Sequence, residues 1–212
     1  MVVKEKNPTI EQINIQLDVL FATDRQQYQN KYFELVGGTP MNFQLDSERR
    51  METFTDPNFS SGAERVTQLL AGKDCHKTTV KHGIDGKETN SEAKPEKTND
   101  KGKLKGRVSF ADMSLEKIQQ HYDTNVEVLS SGWVNGVCLY VIGIPMRNEV
   151  IKYRLIESFN HKKSKGVRKV LSFSRTQYQD ADLELYWIHP DFESYKQNMV
   201  GPQYELVKSL QK

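Results

Sequence analysis

Apolar side chains recur at helical spacing early in the chain. Between residues 9 and 38 they would line one face of a helix, at Ile10, Ile13, Leu17, Leu20, Phe21, Tyr28, Tyr32 and Leu35. Thr9 and Gln12 have the spacing of a capping box, and Gly37-Gly38 can end the helix. The polar stretch at 22–27 favours a break into two helices.

A second helical stretch follows this one. Ser61 and Glu64 again have capping-box spacing, which predicts a helix that runs to Leu70 and ends at Gly72. Residues 1–72 are therefore predicted to be a helical N-terminal region. The apolar face at 9–36 can pack on its own domain, or it can dock on a partner protein or on a second copy of the chain. The pattern leaves these alternatives open.

The last part of the chain changes to strand-like runs. Residues 126–134 and 137–144 flank Asn135-Gly136, a strong hairpin signal because a type I′ turn needs positive φ at both central residues. Further strands are predicted at 41–45, 108–110, 167–173 and 183–188, and further helices at 114–122, 148–159 and 202–210. The order indicates an α+β fold, with N-terminal helices and then a mostly antiparallel sheet in the order ββαββα.

Residues 73–106 have a different composition from their neighbours. The segment has no aromatic residue, and it carries nine lysines and six acidic residues. Such a stretch buries too little apolar surface to offset the entropy lost on ordering. We therefore predict a flexible, Lys-rich loop or linker that separates the N-terminal helices from an α+β core domain at 107–212.

Composition narrows the compartment and the partners. The chain has 212 residues, of which 36% are hydrophobic, and a formal net charge of +2, too small to indicate a nucleic-acid or membrane partner by itself. The longest apolar run, 137–144, is far shorter than the about 20 residues that a membrane helix needs. Cys75 and Cys138 lack the spacing of a disulfide framework. We expect a soluble, intracellular protein of a reducing compartment, without a membrane partner.

One local cluster is strongly basic. Five cations occur within residues 162–169, and no acidic residue occurs between 161 and 179. Lysine and arginine at such a site release counterions from a phosphate backbone, which gives affinity without sequence preference. The predicted nucleic-acid-binding residues are Lys162, Lys163, Lys165, Arg168, Lys169 and Arg175. The same composition is also typical of a solvated turn between a helix and a strand.

A second cluster, at 180–193, is acidic. Asp182 and Glu184 are two residues apart on a predicted strand, so both face the same way and could share a divalent cation through oxygen ligands. Charged side chains also protect a sheet edge from unwanted pairing. We predict no resident metal here, with Asp182 and Glu184 as the candidate ligands if one binds.

Three features occur in order between residues 126 and 195. They are a run at 134–143 (VNGVCLYVIG), an arginine on the following helix, Arg147 or Arg154, and Glu184 within ELYWI. In this order they resemble the turn and second motif, the helix arginine and the metal-binding glutamate of GIY-YIG nucleases. The first motif would fall on 126–128 (VEV), which has neither glycine nor tyrosine, so the core is a degenerate one. The resemblance implies a metal-dependent nuclease, with Tyr140, Arg154 and Glu184 catalytic and Mg²⁺ as cofactor.

The residues alone favour a binding protein over an enzyme. We predict a nucleic-acid-binding or nucleoprotein-associated accessory protein that contacts phosphate through the 162–169 loop, without base-specific readout or a cofactor. The alternatives are the metal-dependent nuclease and a structural or adaptor protein that docks through the 9–36 helix.

Overall fold

The computed structural model describes residues 9–36, 59–74, 85–161, 169–174 and 182–211. The helices of these ranges are α1 (Ile10–Thr23), α2 (Arg25–Val36), α3 (Phe59–Leu70), α4 (Leu115–Asp123), α5 (Glu149–His161) and α6 (Gly201–Ser209), with a 3-10 helix at Phe192–Asn198. The strands are β1 (Ser91–Lys97), β2 (Arg107–Met113), β3 (Glu127–Val134), β4 (Val137–Pro145), β5 (Lys169–Ser174) and β6 (Glu184–Ile188). The strand predicted at 41–45 lies outside the described residues.

The strands form two sheets. The larger has the order β1-β3-β4-β6, in which β1 is parallel to β3 and the other pairs are antiparallel. The smaller is the antiparallel pair β2-β5, so the strand predicted at 167–173 does not join the main sheet. Helices and a mostly antiparallel mixed sheet confirm the predicted α+β fold.

Several local signals in the sequence have the structure that they predicted. Asn135 and Gly136 have φ of 47° and 74° between β3 and β4, as a type I′ turn requires. Thr9 and Gln12 form the predicted capping box, and the long helix breaks at Asp24. Ser114 caps α4 by accepting a hydrogen bond from the Lys117 backbone N–H at 3.1 Å.

Two local predictions are wrong. The helix α3 already includes Phe59, so it does not open at Ser61 as the capping-box spacing predicted. Residues 91–97, predicted to be part of a flexible linker, form strand β1. Its position at the edge of the sheet tolerates Pro95, which has no N–H to donate to a neighbouring strand.

Apolar residues on both faces of the main sheet are buried. Val128 and Ile142 belong to a core shared with β2, β5 and the helices α4 to α6. Leu129 and Trp133 belong to a second core that contains residues of α1, α2 and α3. The strand β4 is therefore buried on both faces, as its apolar run predicted. The division into domains at 1–72 and 107–212 stays a prediction, but the described N-terminal helices share a core with strands beyond residue 107.

This second core also covers the apolar stripe of α1. Leu17, Phe21 and Ala22 are buried against residues of α3 and the sheet. The described members of that face, from Ile13 to Tyr32, therefore pack in the protein's own core. Docking of the 9–36 helix on a partner or on a second copy stays a prediction. Among the described residues, no helix is long and apolar enough to cross a membrane.

Close packing between β3 and β4 gives a first prediction. A Cβ at Gly132 would lie 2.4 Å from the buried Tyr140 ring, so Gly132→Ala forces the ring or the strands to move. We expect a loss of about 2 kcal/mol in the free energy of unfolding, which urea denaturation can measure. Gly201→Ala is the control, because nothing lies within 4 Å of its added Cβ. Equal stabilities for the two variants would contradict the packing argument.

Candidate functional site

Most of the predicted nucleic-acid-binding residues lie outside the described residues. These are Lys162, Lys163, Lys165, Arg168 and Arg175. Lys169, at the start of β5, is described. Its Nζ donates a hydrogen bond to the Phe159 carbonyl at 2.7 Å and lies 4.3 Å from the centre of the Phe159 ring. Lys169 thus joins β5 to the end of α5, and binding of phosphate by this basic cluster stays a prediction.

The three residues implied by the nuclease resemblance lie in different environments and on different elements of the fold. Tyr140 is fully buried and its ring packs edge-on against Phe192. Arg154 is exposed on α5 and pairs with Glu157 at 3.0 Å. Glu184 pairs with Gly143 in the sheet register, whereas Tyr140 pairs with Ile188. Four residues along a strand separate Tyr140 from Glu184 by about 13 Å, so the geometry does not favour a joint active site.

The acidic cluster is spread along the chain after residue 182. Asp182 and Glu184 are both exposed, at the start of β6. Glu193 binds Lys208 and the Tyr204 hydroxyl. In the ranges that the structure describes, no group of three or more His, Cys, Asp or Glu side chains forms a ready metal site.

A different cluster lies at the start of β1. Backbone hydrogen bonds of 2.9 and 3.0 Å between Gly86 and Ser91 close a short turn, with Asn90 at a φ of 50°. The turn returns Asp85 to the strand, where its Oδ2 accepts a hydrogen bond from the Ala93 backbone N–H at 2.8 Å. Asp85 is therefore fixed beside the residues that follow Ser91.

Helix α3 is fixed over β1 and its neighbour β3 by buried polar contacts. Gln68 accepts a hydrogen bond from the Ser91 hydroxyl at 2.8 Å, and the hydroxyls of Thr67 and Ser131 lie 2.7 Å apart. Glu64 is one helical turn before Thr67 and Gln68, so it lies on the same face of α3. This places its carboxylate near enough to Asp85 and Glu92 for their charges to act on it.

Glu92 is the centre of the cluster. Its side chain is 8% exposed, and Oε1 lies 2.6 Å from Lys94 Nζ, which is two residues along the same face of β1. Its Oε2 lies 3.6 Å from Nε2 of the buried His121 on α4 and has no hydrogen-bond partner. His121 Nδ1 is also buried without a partner. We call Glu64, Asp85, Glu92 and Lys94 the carboxylate–lysine site.

Charge repulsion and burial act on the first two carboxylates. Burial, with the charges of Asp85 and Glu92, raises the pKa of Glu64 to about 7, although Lys94 opposes the shift. Burial also raises the pKa of Asp85, against the opposing effects of Lys94 and the Ala93 N–H. These carboxylates cannot all ionise at low cost, so Glu64 keeps its proton up to about pH 7.

Glu92 differs because the ammonium group of Lys94 compensates its negative charge. Burial acts to raise its pKa, but the charge and hydrogen bond of Lys94, with smaller effects of His121 and Lys117, outweigh burial and leave the pKa of Glu92 below its ordinary value. Burial lowers the pKa of His121, so the imidazole is neutral at pH 7. The charge that balances Glu92 at neutral pH is therefore that of Lys94.

The chemistry of the site follows from these groups. Carboxylate oxygens are the ligands preferred by Mg²⁺ and Mn²⁺. As they stand, Glu64, Asp85 and Glu92 do not surround one position closely enough to form a ready metal site, so an ion would have to draw them together. A lysine beside them supplies a positive charge and proton donors without occupying the same position. Perturbed carboxylates with a specific charged partner are typical of functional sites.

This site was not predicted from the sequence, because much of it lies in the segment predicted to be a linker. A signal was present: Glu92, Lys94 and Glu96 alternate with uncharged Ala93 and Pro95, which is the period of a strand. The remaining members, Glu64 and Asp85, are not recognisable from spacing alone, because a helix and a turn bring them to β1.

The raised pKa of Glu64 predicts a pH dependence of stability. In the fold Glu64 holds its proton up to about pH 7, from an ordinary value of 4.5, so stability falls as the pH rises between these values. Allowing for solvent screening of a partly exposed group, Glu64→Gln should remove about 1 to 2 kcal/mol of this fall. Urea denaturation at pH 5 and pH 8 would measure it, with Glu116→Gln, an exposed carboxylate of α4, as the control. The same fall in the Glu64→Gln variant and the wild type would contradict it.

The carboxylate–lysine site has to be interpreted from its own residues, because comparison with protein-family models, with curated proteins and with solved structures finds no match to this chain.

Proposed function

We propose that this protein is a nuclease that hydrolyses phosphodiester bonds with a divalent cation held at the carboxylate–lysine site. The supporting observation is Glu92, a buried carboxylate with one oxygen on Lys94 and the other without a hydrogen-bond partner. A buried carboxylate oxygen without a partner costs free energy, and a cation would remove that cost. This function is the metal-dependent alternative predicted from the sequence, with the carboxylate–lysine site in place of Tyr140, Arg154 and Glu184.

Glu64, Asp85 and Glu92 would be the protein ligands, with Mg²⁺ or Mn²⁺ as the expected ion. When bound, such an ion polarises the phosphoryl oxygens and lowers the pKa of a water ligand. Glu64 would release its proton as the ion binds, because the ion replaces that proton as the balancing charge. The carboxylates would draw together around the ion, since the repulsion that keeps them apart is then compensated.

Lys94 has a separate part in this proposal. Its ammonium is largely buried, with 18% of the side chain exposed, and its pairing with Glu92 fixes it beside the ligands. A preorganised positive charge in a desolvated position stabilises the negative charge that develops on phosphate during attack. Lys94 would donate to the attacking water or to a phosphate oxygen, as a group that never ligates the metal.

Basic residues support nucleic acid as the substrate. After the carboxylate–lysine site, Lys97, Lys101, Lys105 and Arg107 are exposed within a short stretch that leads into β2. Cations at the surface attract a phosphate backbone without base readout. We add to them the 162–169 loop and Arg175, whose nucleic-acid contact is proposed from the sequence. An intracellular, reducing compartment belongs to the same proposal.

A cleavage assay tests the proposal. Labelled single-stranded DNA, duplex DNA and RNA are incubated with the protein in Mg²⁺, in Mn²⁺ or in EDTA, and the strands are separated on a denaturing gel. We expect cleavage of at least one substrate with a divalent ion and none in EDTA. Asp85→Asn should reduce cleavage at least about 100-fold, more than loss of an outer-shell partner costs.

The same assay distinguishes the carboxylate–lysine site from the acidic cluster at 180–193. Glu184→Gln should cleave like the wild type, because Glu184 is exposed and separate from the carboxylate–lysine site. If Glu184→Gln lost cleavage and Asp85→Asn retained it, the carboxylate–lysine site would be rejected as the hydrolytic centre. The acidic cluster at 180–193 would then be favoured. Intact strands with every substrate and ion, from a folded protein, would reject the nuclease.

A further inference from the structure

A cavity lies at the other end of the main sheet from the carboxylate–lysine site. It is lined by residues at the junction of α1 and α2, by the first residue of β4 and by the segment that follows β6, and its volume is about 350 Å³. Glu92 pairs with Val128, which pairs with Ile144, whereas the cavity contains Val137. Seven residues of β4 therefore separate the two places, roughly 23 Å along the strand. The volume is within the range of small-molecule sites.

Arg25 is a cationic residue that lines the cavity. Its guanidinium lies 3.5 Å from the centre of the Phe21 ring, and Phe21 is fully buried and packs edge-on against Tyr28. One face of the guanidinium is therefore fixed on a rigid ring. Its in-plane N–H groups have no carboxylate or carbonyl acceptor among the described residues. They form a preorganised fork for a ligand that offers two neighbouring acceptors.

Carboxylates in the same cavity restrict the charge of that ligand. Asp24 caps α2 by accepting hydrogen bonds from the Gln27 backbone N–H at 3.0 Å and from its side-chain amide at 2.9 Å. Asp191 also lines the cavity, and its carboxylate has no hydrogen bond to a described residue. Two negative charges against one positive charge disfavour a phosphate or carboxylate ligand. The ligand is a neutral group that offers acceptors to Arg25 and donors to Asp191.

Aromatic rings supply a surface for a planar ligand. Tyr195 lines the cavity and packs edge-on against His189, with 5.7 Å between ring centres. His189 is held by its own contacts, since its Nδ1 accepts a hydrogen bond from the Asp191 backbone N–H at 3.0 Å. The Tyr195 hydroxyl makes no hydrogen bond to a described residue. Tyr195 is partly buried against the core, and the part of the side chain that lines the cavity, close enough to Arg25 to act on its charge, can contact a ligand.

We propose that this cavity binds a guanine base, with Arg25 donating to O6 and N7 and Asp191 accepting from N1–H and the N2 amino group. Guanine is the base whose two acceptors match an arginine fork, and it carries the N–H donors that a carboxylate accepts. Adenine presents an amino donor where guanine has O6, so it would turn a donor toward Arg25. The base can come from a free nucleoside or nucleotide, or from an unpaired position in a strand. This inference is independent of the proposed hydrolysis.

Calorimetric titration with guanosine and with adenosine, in EDTA, tests the cavity itself. We expect saturable binding of guanosine at least about 10-fold tighter than that of adenosine, since one bidentate pair discriminates by about 1 to 3 kcal/mol. Arg25→Gln and Asp191→Asn should each weaken guanosine binding about 10-fold. Lys31→Gln, which removes a cation paired with Glu34 on the same helix α2, should leave it unchanged. Circular dichroism confirms that each variant is folded.

Anisotropy with labelled oligothymidine strands in EDTA, with and without one central guanine, distinguishes the sources. A gain in affinity from the guanine that disappears in Arg25→Gln assigns the cavity to a base in a strand. Guanosine binding without that gain assigns it to the free nucleoside or nucleotide. The proposal is overturned if guanosine does not bind saturably and the strand guanine adds nothing, if adenosine binds equally, or if Arg25→Gln binds guanosine like the wild type.

Discussion

Glu92→Gln should reduce metal-dependent cleavage by more than about 100-fold and leave the affinity for nucleic acid unchanged. The substitution keeps the shape of the side chain, removes its charge and leaves the exposed cations unchanged. Because Lys94 loses its compensating partner, circular dichroism has to show that the variant is folded. The amide oxygen still accepts a hydrogen bond from Lys94, whose Nζ is 2.6 Å from Oε1 in the wild type. The other position, now an amide nitrogen, cannot ligate a cation. Loss of a direct ligand costs more than the 10- to 100-fold of an outer-shell partner.

Two measurements separate catalysis from binding in this variant. Cleavage rates on a denaturing gel report the chemistry, and anisotropy in EDTA reports the affinity for the same strand. Arg154→Gln is the matched control, because it removes an exposed ion pair with Glu157 on α5. If Glu92→Gln lost affinity and cleavage together while remaining folded, the carboxylate–lysine site would be part of a binding surface and not a hydrolytic centre. Unchanged cleavage would remove Glu92 from the mechanism.

The parts of the fold that sequence predicted are those with local determinants. The turn at Asn135-Gly136 and the cap at Thr9 depend on residues two or three positions apart, so composition and spacing were sufficient. The strand β1 was not predictable in this way. Its sequence, SEAKPEK, has low strand propensity, and it is ordered by pairing in parallel with β3, from Ser91 with Glu127 to Lys97 with Trp133.

The candidate site was not predictable for the same reason, because its residues are distant in sequence. Glu64 is supplied by α3, Asp85 by the turn before β1 and His121 by α4, and only the strand places them together. A buried charged group is also contrary to what composition suggests, because lysine and glutamate are usually exposed. The charged residues that form the site also give the segment the composition of a solvated linker. The acidic cluster at 180–193 attracted attention because its charges are adjacent in sequence, although the structure leaves Asp182 and Glu184 exposed.

Lys94→Met should lower the free energy of unfolding by about 3 kcal/mol at pH 7. The substitution leaves Glu92, with 8% of its side chain exposed, without its compensating charge, and removing one partner of a buried pair costs about 3 to 5 kcal/mol. The partial exposure of Lys94 places the expected loss at the lower end. The loss should be smaller at pH 5, because Glu92 without Lys94 can avoid the cost by binding a proton. Lys101→Met, which removes an exposed lysine, should change stability by less than about 0.5 kcal/mol.

The double variant Glu92→Gln/Lys94→Met decides whether the pair is retained for stability or for chemistry. With both charges removed, no uncompensated charge is buried, so most of the stability lost in Lys94→Met should return. Urea denaturation of the wild type, both single variants and the double variant gives the coupling energy. A hydrolytic site predicts a double variant that is as stable as the wild type and inactive, since the charges then serve the reaction. A double variant as unstable as Lys94→Met would contradict this, because the loss would then come from packing of the lysine stem and not from the unpaired Glu92.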